Sequence, residues 1–212
     1  MNEEIRVIIP AYNEERSITK VIEEIPAELV KEIIVVDNGS EDHTAEIAQK
    51  AGAMVLTEPA KGYGNACLKG MSYIKKTADD TTEIIVFLDG DHADYPEEMD
   101  SMITLIRKGR ADLVIGSRAL GNREAGSMTP QQIVGNWLAT WLMKLIYHAD
   151  FTDLGPFRAI RWNSLKDLGM QDKNYGWTIE MQIKAIKKGL KCMEVPVGYR
   201  RRIGVSKVSG TL

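Results

Sequence analysis

The sequence predicts an α/β fold in which helices flank a mostly parallel central sheet within a single domain. Short apolar runs rich in Ile and Val alternate with segments whose apolar residues recur at helical spacing. The runs are apolar throughout, which is typical of parallel strands covered on both faces. A length of 212 residues suits one domain with one well-buried core.

The elements follow one another as strand, turn and helix from the N-terminus. Strands are predicted over residues 5–9, 32–36, 54–56, 83–88, 113–115 and 190–197. Helices are predicted after Ser17, around Ile47, from the Gly-rich segment 61–64 to Ile74, from Pro96, over 131–148 and over 178–188. Beyond residue 115 the rhythm changes, but no linker interrupts the chain, so we expect the second half to extend the same sheet.

Composition excludes several classes of protein. Hydrophobic residues make up 44% and charged residues 27% of this sequence, as in an ordinary globular protein. The net charge of -3 does not favour binding to nucleic acid. The basic segment 184–207 nevertheless suits an anionic partner. The widely spaced Cys67 and Cys192 indicate neither a disulfide framework nor a zinc site. We therefore predict a cytoplasmic protein without a membrane-spanning segment.

Polar side chains follow three of the predicted strands at the point where each strand ends. These segments are residues 12–14, 37–39 and 89–91. In parallel sheets ligands bind outside the carboxyl ends of the strands. We therefore expect all three segments to face one crevice.

Asp89 and Asp91 are the strongest candidates for a metal site. They stand one residue apart at a strand end, and Gly90 between them lets the backbone turn so that both carboxylates converge. Hard oxygen ligands favour Mg²⁺ or Mn²⁺, which take further oxygens from substrate phosphates. The competing interpretation is a helix cap, because a helix is predicted to begin at Pro96.

Taken together, the motifs resemble those of family 2 glycosyltransferases in type, order and spacing. The resemblance is carried by residues 7–15, 35–42, 89–91, 116–118, 153–158 and 199–202. Within that family the chain looks most like the dolichyl- or polyprenyl-phosphate sugar synthases and their soluble bacterial relatives. The resemblance implies a GT-A fold over residues 1–212, with a nucleotide-binding half (1–115) and an acceptor-side half (116–212).

The resemblance also implies roles for individual residues of the nucleotide-binding half. Pro10, Ala11, Tyr12 and Glu14 would line the nucleoside pocket, Asp37 would reach the base or ribose, and Lys61 and Gly64 would close the pocket. Asp89, Trp177 and Lys207 complete the predicted substrate-binding set.

Two departures from the family pattern concern the donor side. Asn38 replaces a second Asp, and Ala93 stands where lipid-phosphate synthases often have a Gln metal ligand. Asp94 is a substitute ligand or a helix cap.

Catalysis requires positive charge beside the leaving nucleoside diphosphate, because a metal and cationic side chains together stabilise the charge that develops there. Arg118, Arg200, Arg202 and Lys207 are the candidates, although at least one of three consecutive arginines is expected to face solvent. If the acceptor is a hydroxyl, Asp153 is the best candidate base and Glu180 the second. Asp153 pairing with an arginine is the alternative. A phosphate acceptor is already anionic and requires no base.

An apolar stripe at helical spacing runs from Trp137 to Ile146. Such a stripe is most often part of the core. The alternative is an interfacial helix that contacts lipid headgroups beside the site, since tryptophans prefer that boundary. This alternative would place the protein at the inner face of the cytoplasmic membrane as a peripheral partner.

The sequence therefore predicts an inverting, metal-dependent hexosyltransferase that moves a sugar from a UDP- or GDP-sugar to a polyprenyl or dolichyl phosphate or a related acceptor. Transfer to the hydroxyl of a glycolipid or small molecule is the first alternative. A sugar-phosphate nucleotidyltransferase is another, but the turn after the first strand is acidic rather than Gly-rich and basic. A binding-only relative with an inactive site is the last. The sequence does not address the oligomeric state.

Overall fold

A computed structural model describes residues 4–77 and 82–204 of the chain. Its strands are β1 (Glu4–Ala11), β2 (Glu32–Asp37), β3 (Met54–Thr57), β4 (Thr82–Phe87), β5 (Leu113–Ser117), β6 (Arg158–Arg161) and β7 (Cys192–Pro196). Its helices are α1 (Ile18–Glu23), α2 (Thr44–Lys50), α3 (Tyr63–Thr77), α4 (Met99–Arg107), α5 (Pro130–Tyr147), α6 (Trp162–Leu168) and α7 (Trp177–Lys187). A short 3-10 helix (Pro96–Glu98) precedes α4.

All seven strands form one sheet in the order β3-β2-β1-β4-β6-β5-β7. Strand β6 is antiparallel to both of its neighbours, β4 and β5, and the remaining pairs are parallel. The prediction of a mostly parallel sheet flanked by helices in one α/β domain is confirmed. Strand β6 and helix α6 were not predicted as elements.

Apolar side chains on the two faces of the sheet form two separate clusters, because successive residues of a strand point in opposite directions. In β4, Ile84 and Val86 belong to one cluster, and Ile85 and Phe87 belong to the other. Helices α1, α2 and α4 cover the first face, while α3, α6 and α7 cover the second. The central strands are buried on both faces, whereas their carboxyl ends remain open.

Helix α5 contributes no buried side chain to either of these two apolar clusters. It begins at a complete capping box between Thr129 and Gln132 and ends at His148 in the left-handed conformation. Of its eighteen residues only Thr140 and Met143 are buried. No helix in the described part of the chain is both long and apolar enough to cross a bilayer.

Candidate active site

A cavity of about 210 Å³ opens at the carboxyl ends of the central strands. Residues that follow three strands line it, which is the arrangement expected of a parallel sheet. The cavity is lined by Pro10, Ala11, Tyr12, Glu14, Asn38, Lys61, Gly62, Tyr63, Ala66, Asp89, Gly90, Asp91, Tyr175 and Arg202. The polar segments after β1, β2 and β4 therefore share one crevice, as their positions in the sequence indicated.

The side chains of Tyr12 and Lys61 form one wall of this cavity. Lys61 Nζ lies 5.0 Å from the centre of the Tyr12 ring and donates a hydrogen bond to its hydroxyl at 3.3 Å. Tyr175, half exposed on the loop before α7, also borders the cavity. Two aromatic rings and an ammonium group thus face a space in which a planar, anionic ligand finds stacking surface and positive charge.

Glu14 is held in place by the helices that follow it. Its side chain accepts a hydrogen bond from the Ser17 hydroxyl at 2.9 Å, and its backbone N–H donates to Thr44 Oγ1 at 2.7 Å. These contacts fix the turn after β1 against the starts of α1 and α2. The turn therefore presents Ala11, Tyr12 and Glu14 to the cavity from a rigid base.

Asn38, rather than Asp37, borders the cavity after β2. Its amide nitrogen donates to the carbonyls of Glu58 and Ala60 at 2.9 and 2.8 Å, and its Oδ1 accepts from the Gly62 N–H at 2.8 Å. An aspartate has no hydrogen to donate to two carbonyls. The departure from the family pattern at residue 38 therefore has a structural reason, namely that Asn38 ties the segment 58–62 to the end of β2.

Two of the predicted pocket residues lie beside the cavity rather than on its lining. Asp37 accepts a hydrogen bond from the Ser40 N–H within its own turn. Gly64 contacts the loop before α7, where an added Cβ would lie 2.0 Å from the Asp172 carbonyl oxygen. Gly64 is thus required for close packing of α3 on this loop, and Gly62 lines the cavity in its place.

The carboxylates of Asp89 and Asp91 meet in the cavity directly after β4. Asp91 Oδ1 accepts the Ala93 N–H at 3.0 Å, and Asp91 Oδ2 pairs with Arg202 Nη1 at 2.9 Å. Asp89 Oδ1 is buried and has no hydrogen-bond partner among the described residues. Burial and the neighbouring charge of Asp91 raise the pKa of Asp89 to about 7. A buried carboxylate with an unsatisfied oxygen is a site at which a cation relieves a large energetic cost.

The residues present fit a divalent cation that is completed by its substrate. Among residues 4–77 and 82–204, no group of three or more His, Cys, Asp or Glu side chains is arranged to hold a metal. Asp89 and Asp91 would supply two carboxylate ligands, which suits Mg²⁺ or Mn²⁺ when phosphate oxygens and water provide the remainder.

Asp94 does not cap the helix that follows. The 3-10 helix begins after Tyr95, which makes no side-chain capping bond. Both Asp94 carboxylate oxygens are buried without a hydrogen-bond partner in the described part of the chain. Burial and the nearby Asp89 raise the pKa of Asp94 well above its usual value. Asp94 is thus a buried acid near Asp89 and Asp91 but outside the cavity lining.

Arg118 and Asp153 form a closed pair next to this region. Asp153 Oδ2 accepts hydrogen bonds from the backbone N–H and Nε of Arg118 at 2.7 and 2.8 Å, and Oδ1 accepts from Nη2 at 2.6 Å. The Asp153 side chain is only 1% exposed. Arg118 also stacks on the ring of Tyr199. Both Asp153 oxygens are therefore engaged, which favours the arginine-pairing role over that of a proton acceptor.

Arg200 and Arg202 occupy different environments although they are separated by one residue. Arg200 is used by the fold: its Nε donates to the His92 carbonyl at 2.7 Å, its Nη2 pairs with Glu24, and its guanidinium stacks on Tyr95. Arg202 enters the cavity. Arg200 does not line the cavity, and its Nε and Nη2 donate to protein groups, so its position does not support the predicted role on the substrate.

Two further predicted residues lie away from the cavity lining. Trp177 is a core residue, fully buried with its ring 5.9 Å from that of Phe87, and so does not contact substrate from this position. Glu180 accepts hydrogen bonds from the backbone N–H groups of Gln171 and Asp172. Lys207 lies outside the described residues.

Sequence reasoning missed Tyr63, Tyr175 and Gly62 as cavity residues. Tyr63 and Gly62 lie in the Gly-rich segment that was recognised as a helix start, so their proximity to Lys61 was the available signal. Tyr175 comes from a loop more than a hundred residues further on, and no local pattern marks it. The long-range hydrogen bond from the Gly64 N–H to the Asn174 carbonyl brings this loop to the cavity.

This fold, with an acidic pair at the end of a central parallel strand, is that of a GT-A glycosyltransferase. Residues 6–169 match the sequence profile of Glycosyl transferase family 2, and the chain belongs to that family. An uncharacterized glycosyltransferase of Mycobacterium tuberculosis is 34% identical over 210 residues, covering 98% of this chain and 91% of the relative. The predicted family, fold and enzyme class are confirmed, and the nucleotidyltransferase alternative is set aside.

Two further comparisons bear on the kind of glycosyltransferase. The polyprenol monophosphomannose synthase of Mycolicibacterium smegmatis is 28% identical over 221 residues, covering 97% of this chain and 81% of the relative. The glucosyl-3-phosphoglycerate synthase of Mycobacterium tuberculosis, solved with Mn²⁺, UDP and phosphoglyceric acid, has a TM-score of 0.75 at 22% identity. It covers 97% of this chain and 72% of that chain. The second comparison concerns the fold alone.

Proposed function

We propose that the chain is an inverting, divalent-metal-dependent hexosyltransferase that moves a sugar from a UDP- or GDP-sugar to a polyprenyl phosphate or a related lipid phosphate. The observation that carries the proposal is the cavity at the strand ends, which Asp89, Asp91 and Arg202 line together with Tyr12 and Lys61. The lining offers aromatic surface and a carboxylate pair with an arginine. A nucleoside diphosphate has matching chemistry along its length.

On the donor side, the aromatic wall would hold the nucleoside and the acidic turn would hold the diphosphate. Mg²⁺ or Mn²⁺ on Asp89 and Asp91 would supply Lewis-acid stabilisation of the leaving diphosphate. Arg202 brings a planar guanidinium, which suits two phosphate oxygens at once. The glucosyl-3-phosphoglycerate synthase solved with Mn²⁺ and UDP, which shares this fold, supports this assignment.

The acceptor side favours a phosphate over a hydroxyl. A phosphate monoester attacks as an anion, whereas a hydroxyl must lose its proton to a base. Asp153 would have to release Arg118 to become that base, because both of its oxygens accept hydrogen bonds from Arg118. The relative named polyprenol monophosphomannose synthase supports a lipid phosphate. Transfer to a hydroxyl acceptor remains the alternative.

A second cavity of about 290 Å³ adjoins Asp153 on the side of helix α5. Arg123 lines it together with apolar side chains that include Ile133 and Trp137. Asn136 connects α5 to this region, because its side chain donates to the Thr152 carbonyl at 3.0 Å and accepts the Leu154 N–H at 2.8 Å. An acceptor with an anionic head and an apolar tail would meet both kinds of surface here.

The exposed side of α5 supports contact with a membrane. We define the α5 apolar face by eight side chains that are between 39% and 63% exposed: Ile133, Val134, Trp137, Leu138, Trp141, Leu142, Leu145 and Ile146. Soluble surfaces rarely leave so many large apolar side chains together in water. Trp137 and Trp141 stack at 6.4 Å, and the basic last turn of α7 packs nearby through Lys187 on Tyr147. Tryptophans beside lysines are typical of helices at a lipid headgroup boundary.

The transfer reaction tests the proposal directly. Labelled UDP- and GDP-hexoses are incubated with the chain, Mn²⁺, and either a polyprenyl phosphate or the corresponding polyprenol. We expect label in the lipid product only with the phosphate, and only in the absence of EDTA. Equal transfer to the polyprenol would support the hydroxyl alternative. No transfer from any nucleotide-sugar to either lipid would overturn the proposal.

A further inference from the structure

Arg202 supplies a positive charge beside the carboxylates of Asp89 and Asp91 in the absence of a metal ion. Its Nη1 lies 2.9 Å from Asp91 Oδ2, while Asp91 Oδ1 already accepts the Ala93 N–H. Both oxygens of Asp91 are thus in use. The Asp89 carboxylate beside it has a buried oxygen without a partner in the described part of the chain. One guanidinium therefore neutralises half of the carboxylate pair.

The backbone that carries Arg202 is fixed independently of this ion pair. We call residues 198–203 the C-terminal strap. Its Ile203 N–H donates to the Asp91 carbonyl and its Arg200 N–H to the Ala93 carbonyl, both at 2.9 Å. The Arg200 side chain adds a bond to the His92 carbonyl. The strap is therefore pinned to the acidic turn whether or not Arg202 holds Asp91.

The Arg202 side chain itself has little else to hold it. Besides Asp91, its described hydrogen bond is to the Tyr199 hydroxyl at the long distance of 3.4 Å. It is partly exposed and lines the same cavity as Tyr12 and Lys61. The guanidinium therefore already faces the cavity, and Asp91 is its one short-range ionic partner among the described residues.

We propose that Arg202 is an exchangeable counter-cation: it neutralises Asp91 in the empty site and transfers to the donor's diphosphate when a divalent metal takes its place. The inference rests on the proposed donor. A metal arriving alone must displace a like-charged guanidinium and leave it unpaired. A metal that arrives with a diphosphate gives Arg202 a new anionic partner. Metal and nucleotide should therefore bind cooperatively, and by linkage each strengthens the other equally.

Replacing Arg202 should separate metal binding from nucleotide binding. In Arg202→Gln, Mn²⁺ binding without nucleotide is measured by electron paramagnetic resonance or calorimetry. We expect Mn²⁺ to bind about tenfold more tightly than to the unmodified chain, because no cation has to leave Asp91. UDP or GDP, whichever binds the unmodified chain, should bind the variant about tenfold more weakly in the presence of Mn²⁺.

Arg201→Gln is the matched control, since it removes the same charge one residue away. Arg201 donates to the Ala125 carbonyl and does not line the cavity. We expect neither affinity to change in this control. Arg202→Lys keeps a charge without the fork and should lie between Arg202→Gln and the unmodified chain in both measurements.

Unchanged or weaker Mn²⁺ binding in a folded Arg202→Gln chain would overturn the exchange, and so would the absence of Mn²⁺ binding in both chains. The measurement without nucleotide does not depend on the donor. If the unmodified chain binds Mn²⁺ but no nucleotide, the proposed function fails, whereas tighter Mn²⁺ binding in the variant would still identify Arg202 as the ion that leaves Asp91.

Discussion

The turn after β4 and helix α5 lie at opposite extremes of burial. The turn buries Asp91, Asp94 and one oxygen of Asp89, and three of these carboxylate oxygens have no hydrogen-bond partner among the described residues. Helix α5 places eight large apolar side chains in water. Each arrangement costs free energy in the isolated chain. The proposed function gives the two arrangements a common explanation, because it places a cation at the turn and a lipid surface at the helix.

The largest effect is expected at the turn. Asp89→Asn should lower transfer by about a thousandfold, because it removes a metal ligand from the leaving-group side. The same substitution should raise the free energy of unfolding at pH 8 without metal by on the order of 1 kcal/mol, since a buried charge is removed. Steady-state transfer and denaturant unfolding measure the two effects. Asp100→Asn, on an exposed position of α4, should change neither.

The next effect concerns the Arg118 and Asp153 pair between the two regions. Asp153→Ala should cost about 3 kcal/mol of unfolding free energy, because it leaves a buried guanidinium without its partner. Urea unfolding measures the loss. The double variant Arg118→Met/Asp153→Leu should recover at least part of it. An Asp153→Ala chain as stable as the unmodified one would mean that the pair is not formed.

Substitutions on helix α5 are expected to change membrane binding and to leave stability almost unchanged. Trp137→Glu/Trp141→Glu should reduce binding to anionic phospholipid vesicles by about tenfold or more, because both rings are lost from the headgroup boundary. Stability should change by about 0.5 kcal/mol or less per exposed site. Vesicle binding is measured by flotation. Met54 is an exposed apolar residue on the edge strand β3, so Met54→Glu is the control and should bind vesicles as the unmodified chain does. Equal vesicle binding by the unmodified chain and both variants would contradict a role of α5 in membrane binding.

A pH dependence of the turn is also expected. The folded pKa of Asp89 is raised from 3.8 to about 7. Its protonated form therefore favours the folded state, and this contribution is lost as pH rises from about 4 to about 7 in metal-free protein. Mn²⁺ competes with the proton, so its affinity should increase over the same range. Thermal unfolding in EDTA and in Mn²⁺, compared with Asp89→Asn, measures both trends. A slope that survives in Asp89→Asn would assign it to another group.

Much of the donor side was predictable because sheet topology is local and periodic. Apolar runs located β1, β2 and β4, and the carboxyl-end rule then brought Tyr12, Glu14, Asp89 and Asp91 together. Strand β6 was missed because it contains the buried Arg158, whose guanidinium donates to the carbonyls of Leu154, Gly155 and Thr178. A charged residue in a core strand gives no apolar signal.

The remaining site residues depend on long-range packing that the sequence does not reveal. Arg200 and Arg202 look equivalent in sequence, and only the position of Glu24 and His92 assigns Arg200 to the fold. The sequence shows only that Asn38 departs from the family pattern, whereas its three hydrogen bonds to the segment 58–62 depend on the fold. The exposure of the α5 stripe, likewise, follows from the absence of a covering layer among the described residues.

The central claim is that the carboxylate pair after β4 binds the donor's diphosphate through a divalent metal. Calorimetric titration of UDP and GDP into the chain, with Mn²⁺ and with EDTA, tests it most directly. We predict that one of the two nucleotides binds at least about tenfold more tightly with Mn²⁺, and that Asp91→Asn abolishes the difference. Equal affinity with Mn²⁺ and with EDTA would contradict the account.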